Sequence, residues 1–179
     1  MKRPAIFLDR DGTLIEEVNF LARVEDLRLF PFTKNAVKLL KDSGFLLLVV
    51  TNQSGIARGK YAESDMHTIH DEIQNELSGA IDRFYFCPHM PMAGCECRKP
   101  NLGMIDSAMA DFEIDLENSW TIGDKNLDVE LGKNARLRTA LVLTGYGRKH
   151  KALIQADADL IAENLEEAAE HIVAAFSGK

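Results

Sequence analysis

The sequence of 179 residues lacks several features that would assign it to a broad class. It has no apolar run of about 18 residues, the length that a membrane-spanning helix needs. Only a short apolar segment, Ala5–Leu8, separates its basic start from Asp9, and a secretory signal is longer. No basic tract offsets the net charge of −7, which argues against a nucleic-acid partner. We therefore expect a cytoplasmic protein that binds neither membranes nor nucleic acid.

Cysteines and nucleotide-binding motifs are also scarce. There are only three cysteines, all between residues 87 and 97, so a disulfide framework is not expected. Neither the phosphate-binding loop G-x-x-x-x-G-K-[ST] nor the dinucleotide fingerprint G-x-G-x-x-G occurs. The 46% hydrophobic and 27% charged residues are typical of a globular protein with its own core. We predict one domain over residues 1–179.

Two aspartates directly follow the first apolar segment. Ala5–Leu8 is apolar on both faces, as the central strand of a parallel sheet is, and such sheets place their sites at the carboxyl ends of strands. Asp9 and Asp11 would point the same way in extended chain. Two carboxylates this close repel each other unless a cation or a shared proton lies between them. A calcium loop does not fit, because its glycine stands at the sixth position and Gly12 is the fourth; a plain turn remains the alternative.

Apolar segments and helical patterns alternate along the rest of the chain. Strands are predicted at 45–50, 81–86, 119–122, 139–143 and 158–161, and helices at 33–44, 63–78, 102–112, 126–134 and 164–176. Thr33 would cap the first of these helices, and Gly44 would end it. This alternation predicts a Rossmann-like three-layer α/β sandwich with a central parallel sheet. Residues 14–30 are too few for a separate cap domain, so we expect a capless fold.

The carboxyl ends of parallel strands share one edge of the sheet, so residues far apart in sequence can meet there. The second strand is followed by Thr51 and Asn52, the third by a loop that contains Lys99, and the fourth by Asp124. Carboxylates suit a hard cation such as Mg²⁺, and a hydroxyl and an ammonium suit phosphoryl oxygens. A carboxylate is then the obvious nucleophile. The plain alternatives are that Thr51 only ends a strand, Lys99 lies in solvent and Asp124 caps a helix.

The cysteine loop, residues 87–100, offers three thiols and one imidazole. These ligands are Cys87, His89, Cys95 and Cys97. They form a complete tetrahedral set for structural Zn²⁺, with no position left open for catalysis. We predict that zinc folds this loop and thereby fixes Arg98 and Lys99; unliganded or redox-active thiols are the alternative.

The ordered motifs Asp9-Arg10-Asp11-Gly12-Thr13, Thr51-Asn52, Lys99 and Gly123-Asp124 resemble those of the haloacid dehalogenase-like phosphohydrolases. The resemblance implies a phosphoaspartyl enzyme in which Asp9 attacks phosphorus. Asp11 would protonate the leaving oxygen and then deprotonate the attacking water. Thr51 and Lys99 would hold the phosphoryl oxygens. Mg²⁺ would be bound by the carboxylates of Asp9 and Asp124 and by the backbone carbonyl of Asp11.

The cysteine loop and the segment Thr51–Gly59 narrow the resemblance to a branch that contains heptose-bisphosphate and histidinol-phosphate phosphatases. The resemblance implies a substrate pocket lined by Glu17, Phe20, Asn52, Gln53, Ser54, Arg58, Arg98 and Lys125. Four cations, Arg58, Lys60, Arg98 and Lys125, are more than one phosphate needs and favour a sugar bisphosphate, because histidinol phosphate brings its own ammonium group. The expected partner is therefore a small phosphorylated sugar. We also expect the protein to be a monomer.

Other functions remain open. A phosphatase acting on a wider range of sugar phosphates is compatible with an open, capless site. A non-catalytic phosphate-binding protein scaffolded by zinc is disfavoured by the presence of both Asp9 and Asp11. A phosphotransferase or mutase would use the same aspartate but pass the phosphoryl group to a sugar instead of water.

Overall fold

A parallel sheet forms the centre of the computed structural model, which describes residues 2–153 and 158–177. Its strands are β1 Ala5–Leu8, β2 Leu46–Asn52, β3 Arg83–Cys87, β4 Trp120–Gly123, β5 Arg138–Val142 and β6 Leu160–Ala162. They lie in the order β3-β2-β1-β4-β5-β6, and every neighbouring pair is parallel. β1 is therefore central, as its apolar sequence predicts.

Helices cover both faces of the sheet, which confirms the predicted three-layer α/β fold. They are α1 Thr33–Asp42, α2 Glu63–Glu76, α3 Gly103–Asp111, α4 Asn126–Asn134, α5 Gly147–Lys151 and α6 Leu165–Ser177. α5 was not predicted, because its five polar residues carry no apolar periodicity. None of the described helices has the length and apolarity that a bilayer span requires.

The two faces of β1 show how a strand that is apolar throughout separates two cores. Ile6 and Leu8 pack in the larger core, beneath α1, α2 and α6. Ala5 and Phe7 point to the other face and pack beneath α3 and α4. All four side chains are fully buried, so a polar residue at any of them would lose its hydration on folding. β1 is thus held rigidly on both sides, and so is the start of the loop that follows it.

The predicted boundaries hold to within two residues, but the predicted cap at Thr33 is wrong. Thr33 is the first residue of α1, and its buried hydroxyl donates a hydrogen bond of 2.7 Å to the carbonyl of Leu14. It therefore ties α1 to the chain leaving β1 instead of capping the helix. At the other end Ser43 is the C-cap, and Gly44 follows it with a φ of +91°, as a residue that ends a helix often does.

The connection from β1 to α1 is a short excursion, residues 15–30, and not a cap domain. Its regular structure is one 3-10 turn, Val24–Asp26, and an isolated bridge between Ile15 and Leu29. Leu21 and Leu27 anchor it in the larger core. Among the described residues no inserted domain covers the carboxyl edge of the sheet, so the predicted capless architecture is confirmed.

Gly132 provides a test of the packing between α4 and the sheet. A Cβ at this position would stand 2.3 Å from Thr121 Oγ1 and 2.5 Å from Thr139 Cγ2. Alanine is favoured over glycine in a helix by about 1 kcal/mol, yet we expect Gly132→Ala to lower the free energy of unfolding by about 1–3 kcal/mol because it overpacks the core.

Urea denaturation followed by circular dichroism measures this change. The control is Lys133→Ala on the exposed side of the same helix, which should alter stability by no more than about 0.5 kcal/mol. A Gly132→Ala protein as stable as the wild type would contradict the packing described here.

Candidate active site

Asp9 follows β1 at the middle of the carboxyl edge and is 5% exposed. Its backbone N–H donates to the carbonyl of Ile122, at 2.9 Å. Its Oδ1 accepts a hydrogen bond of 2.8 Å from the Arg10 N–H and lies 3.0 Å from Lys99 Nζ. Burial by itself would raise the pKa of Asp9, but Lys99 and Lys125 outweigh it and hold the pKa below its usual value. Asp9 is therefore an oriented carboxylate that stays ionised at neutral pH.

Lys99 reaches from the cysteine loop into the sheet edge and is 4% exposed, so it is not a solvated lysine. Its Nζ donates to Val50 O at 2.8 Å and to Asp128 Oδ1 at 2.7 Å. Burial disfavours the charged form, but Asp128 and Asp9 raise the pKa of Lys99 above its usual value. The ammonium is thus held between two carboxylates, Asp9 and Asp128.

Asp128 was missed in the sequence, although its spacing carried a signal. It lies one helical turn after Asp124 in Gly123-Asp124-x-x-x-Asp128. Its Oδ2 accepts the N–H of Lys125, the N-cap residue of α4, at 3.1 Å. Because Asp128 Oδ1 also holds Lys99, this one carboxylate closes the start of α4 and fixes the buried lysine.

Asp124 is fully buried and is not the cap of α4, since that position belongs to Lys125. Its Oδ2 accepts the Tyr146 N–H at 2.8 Å. Its Oδ1 accepts no hydrogen bond from the described residues, although Lys125 Nζ lies 3.3 Å away. Burial, and then the neighbouring Asp9, raise the pKa of Asp124 to about 7.

This arrangement fits a divalent cation. Asp9, Asp124 and Asp128 each place an oxygen within 4.8 Å of the others. Both oxygens of Asp128 are already hydrogen-bonded, which leaves Asp9 and Asp124 as the carboxylates with oxygens to offer. A buried carboxylate oxygen without a hydrogen bond, next to a second carboxylate, has the donor chemistry that Mg²⁺ prefers. Asp11 does not contribute its carboxylate to this cluster.

Two glycines let the loops after β1 and β5 close on Asp124. Gly12 has a φ of +82° and Gly145 a φ of +51°, a region that disfavours other residues. A Cβ on either glycine would stand 2.2 Å from Asp124 Oδ2. The close approach of these two backbones therefore encloses the Asp124 carboxylate.

Asp11 lies beyond the end of β1, so the strand alternation invoked for it does not extend to its position. The chain turns there, with the Gly12 N–H donating to Ile15 O at 2.8 Å. The Asp11 carboxylate instead pairs with Arg10 Nε at 3.0 Å and with Gln53 Nε2 at 3.0 Å. Asp9 and Asp11 still line the same cavity. Asp9 pairs with Lys99 and Asp11 with Arg10.

The cavity at this edge brings together most of the predicted substrate residues. Those that line it are Glu17, Phe20, Thr51, Asn52, Gln53, Ser54, Lys99 and Lys125. Val18, Asn19, Leu21, Gly55, Tyr61 and Leu127 also line it and were not predicted. Arg58 and Arg98 are not among the lining residues: the Arg58 guanidinium lies 5.9 Å from the Phe20 ring centroid, and Arg98 donates to His89 O at 3.2 Å.

Lys125 is paired within the site. Its Nζ lies 3.3 Å from Glu17 Oε2 and 3.3 Å from Asp124 Oδ1. Burial opposes its charge, but Asp9 and Asp124 raise the pKa of Lys125. Burial also raises the pKa of Glu17 above its usual value. Lys125 therefore neutralises carboxylates on both sides of the cavity.

The four predicted zinc ligands converge. The Sγ atoms of Cys87 and Cys95 are 3.5 Å apart, those of Cys95 and Cys97 are 3.6 Å apart, and His89 Nδ1 lies 3.2 Å from Cys97 Sγ and 3.6 Å from Cys87 Sγ. A tetrahedral zinc site has edges of about 3.8 Å between sulfurs and about 3.6 Å between sulfur and nitrogen. A disulfide would require about 2.05 Å. The geometry therefore fits zinc and not a disulfide.

The cysteine loop is joined to the catalytic edge at both ends. The carbonyl of Cys87 accepts the Gln53 N–H at 2.7 Å. Beyond Cys97, the backbone N–H of Lys99 donates to Asn52 Oδ1 at 3.0 Å. The conformation of the cysteine loop therefore determines where Lys99 lies at the edge of the sheet.

We expect the purified protein to hold about one zinc ion per chain and Cys97→Ser to lose it, because four ligands of this kind are needed for a closed structural site. Without the metal, amide hydrogen exchange over residues 87–101 should become at least about tenfold faster. Elemental analysis and exchange mass spectrometry measure the two effects. Met92→Ser, which alters an exposed residue of the same loop, should change neither, and a Cys97→Ser protein with full zinc content would contradict the assignment.

Comparison with known proteins agrees with this geometry. A hydrolase-like family model, described as HAD-hydrolase-like, matches residues 96–168. The chain is 40% identical to a D-glycero-D-manno-heptose-1,7-bisphosphate 7-phosphatase of Thermosynechococcus vestitus, over 96% of each chain. It is 39% identical to the D-glycero-beta-D-manno-heptose-1,7-bisphosphate 7-phosphatase of Escherichia coli K12, over 79% of this chain and 80% of that one.

A solved structure extends the likeness to the fold. The D,D-heptose 1,7-bisphosphate phosphatase of B. bronchiseptica, complexed with magnesium and phosphate, superposes with a TM-score of 0.89 at 30% identity. The alignment covers 98% of this chain and 99% of that one. With a relative 40% identical along almost its whole length and the motifs assembled at one sheet edge, the chain belongs to the haloacid dehalogenase-like hydrolases.

Proposed function

We propose that this protein is a phosphatase that removes the 7-phosphate of D-glycero-D-manno-heptose 1,7-bisphosphate through a phosphoaspartate on Asp9. The observation that carries the proposal is the ionised Asp9 held 3.0 Å from the buried Lys99, beside a carboxylate cluster that fits a divalent cation. The substrate is the one that the names of its relatives specify. The protein would act as a cytoplasmic monomer, with one domain over residues 1–179.

The first step uses the free side of Asp9. Two donors hold Oδ1, whereas Oδ2 has Lys125 Nζ at 4.0 Å, so Oδ2 is the oxygen that attacks. A bond forms between Oδ2 and phosphorus, and the bond from phosphorus to the sugar oxygen breaks. The proton that this oxygen needs comes from Asp11, which lines the same cavity as Asp9, and the freed sugar hydroxyl leaves.

The second step returns the site to its starting state. Water attacks the phosphoaspartate, and Asp11, now a carboxylate, takes the proton from that water. The bond between phosphorus and Asp9 Oδ2 breaks, which releases orthophosphate. One ester and one water thus become one alcohol and one phosphate, and Asp11 ends the cycle protonated again.

The other side chains hold charge in place. Lys99 Nζ would bind a phosphoryl oxygen, together with the Thr51 hydroxyl, which already accepts the Gln53 amide at 2.8 Å. Mg²⁺ bound by Asp9, Asp124 and the Asp11 carbonyl would supply charge neutralisation for the phosphoryl group. In phosphoryl transfer, positioning and charge neutralisation of this kind provide most of the catalysis.

The charge around the cavity supports a bisphosphate over histidinol phosphate. Lys99 and Lys125 line the cavity, and the Arg58 guanidinium lies 5.9 Å from the ring centroid of Phe20, another lining residue. A second phosphate of the substrate would be attracted to this charge. The ammonium group of histidinol phosphate would be repelled by it.

We expect Asp9→Asn to reduce kcat for a phosphate ester with Mg²⁺ by at least about 10⁴-fold, because the covalent route is removed. Release of phosphate in water enriched in ¹⁸O measures the reaction, and the wild type should place the label in orthophosphate. The matched control is Asp106→Asn on the exposed side of α3. An unlabelled product would indicate a phosphotransferase or mutase, and equal activity in wild type and Asp9→Asn would reject the nucleophile.

A substrate panel tests the sugar. Both anomers of heptose 1,7-bisphosphate, fructose 1,6-bisphosphate and histidinol phosphate would be compared by kcat/KM. We expect a heptose bisphosphate to lead histidinol phosphate by at least about tenfold, a difference of about 1.4 kcal/mol in transition-state binding. The reverse order would make the protein a histidinol-phosphate phosphatase, and similar values throughout would indicate a broad sugar-phosphate phosphatase.

A further inference from the structure

Arg10, the residue between the two aspartates, is the most deeply buried cation of the cavity wall, at 1% exposure. Its Nε lies 3.0 Å from Asp11 Oδ2, and its Nη2 lies 3.1 Å from Asp11 Oδ1. This is a two-point pairing of a planar guanidinium with a carboxylate, which fixes orientation as well as distance. The Asp11 side chain retains 15% exposure, so it faces the cavity on its other side.

Gln53 holds the same carboxylate from a second direction. Its Nε2 donates to Asp11 Oδ2 at 3.0 Å, and its Oε1 accepts from Arg10 Nη2 at 3.0 Å and from the Tyr61 hydroxyl at 2.5 Å. An amide turned by 180° would place its NH₂ group against these two donors. Arg10 and Tyr61 therefore determine which end of the Gln53 amide faces Asp11.

His70 accepts a hydrogen bond from Nη1, the remaining nitrogen of the Arg10 guanidinium. Its Nε2 lies 3.2 Å from Arg10 Nη1, and its ring stacks on Phe84 with centroids 4.5 Å apart. Burial, and then Arg10, lower the pKa of His70 to about 3, so the ring is neutral and can accept. Burial raises the pKa of Tyr61 to about 12, so its hydroxyl keeps its proton.

Arg10 is therefore occupied by the protein itself. Its hydrogen bonds to Asp11 (two), Gln53 and His70 use four of the five N–H groups of a guanidinium. Little remains to bind substrate. A buried ion pair adds little to stability compared with apolar residues of the same size, so packing alone does not account for a charged residue here.

We propose that Arg10 is a positioning residue that, together with Gln53, holds the Asp11 carboxyl in the orientation from which it exchanges protons with the leaving oxygen and with water. The inference rests on the proposed function, in which Asp11 is the acid and base. His70 contacts Arg10 and the Tyr61 hydroxyl contacts Gln53, so both act on Asp11 only through these two residues.

The test compares two leaving groups in Arg10→Lys, because lysine keeps the charge but lacks the planar fork. An alkyl phosphate needs a proton on its leaving oxygen, whereas p-nitrophenyl phosphate releases a stable phenolate without one. In single turnovers we expect the alkyl ester to slow by about 10²-fold and the aryl ester to form phosphoaspartate within about threefold of the wild-type rate. Multiple turnovers of the aryl ester should show a burst of about one nitrophenolate per chain, because Asp11 also assists the second step.

An equal loss with both esters, and no burst, would reject the positioning role. Arg23→Lys, which changes an exposed arginine of the excursion, should leave both rates unchanged. Tyr61→Phe removes only the hydroxyl that orients Gln53. It should slow the alkyl ester by about three- to tenfold and leave phosphoaspartate formation from the aryl ester nearly unchanged, which keeps the test informative if Arg10→Lys does not fold. A wild-type protein that incorporates no ¹⁸O would instead reject the proposed function itself.

Discussion

The site depends on one buried ion cluster, in which Lys99 Nζ lies between Asp9 at 3.0 Å and Asp128 at 2.7 Å. Each residue comes from a different segment: the end of β1, the end of the cysteine loop and the first turn of α4. Moving any of these charges out of water costs several kcal/mol, and removing one partner leaves another uncompensated. The three segments must therefore be held in place at the same time. Asn52 fixes the backbone of Lys99, and the Cys/His cluster fixes the loop before it.

A second consequence is that Asp9 and Asp11, the two aspartates to which we assign the chemistry, are kept electrostatically separate. Asp9 is neutralised by Lys99, whereas Asp11 is neutralised by Arg10. Two carboxylates so close in sequence do not need to share a proton in this arrangement, contrary to one of the two explanations that the sequence suggested. Each aspartate can then follow its own chemistry, one as a nucleophile and the other as an acid and base.

The sequence predicted what is fixed by local patterns and strand topology. The apolar run before Asp9 identified a central strand, and the common edge of parallel strands brought Lys99 and Asp124 to it. Asp128 and the role of Arg10 were missed for a physical reason: Asp128 holds Lys99, 29 positions away, and Arg10 contacts not only the adjacent Asp11 but also Gln53, 43 positions away. Their roles follow from burial, and a charged residue in sequence does not reveal whether it is buried.

Substrate recognition is where sequence reasoning was least complete, because no regular element carries it. The walls of the cavity come from the excursion after β1, from the loops after β2 and β3, and from the segment that leads from β4 into α4. Phe20 adopts a φ of +58°, a conformation that costs a bulky residue about 1–3 kcal/mol and persists only where its surroundings impose it. Its ring lines the cavity and has the Arg58 guanidinium over it, 5.9 Å from the ring centroid. In the absence of a cap domain among the described residues, such loop contacts must supply the selectivity, while the sheet edge supplies the chemistry.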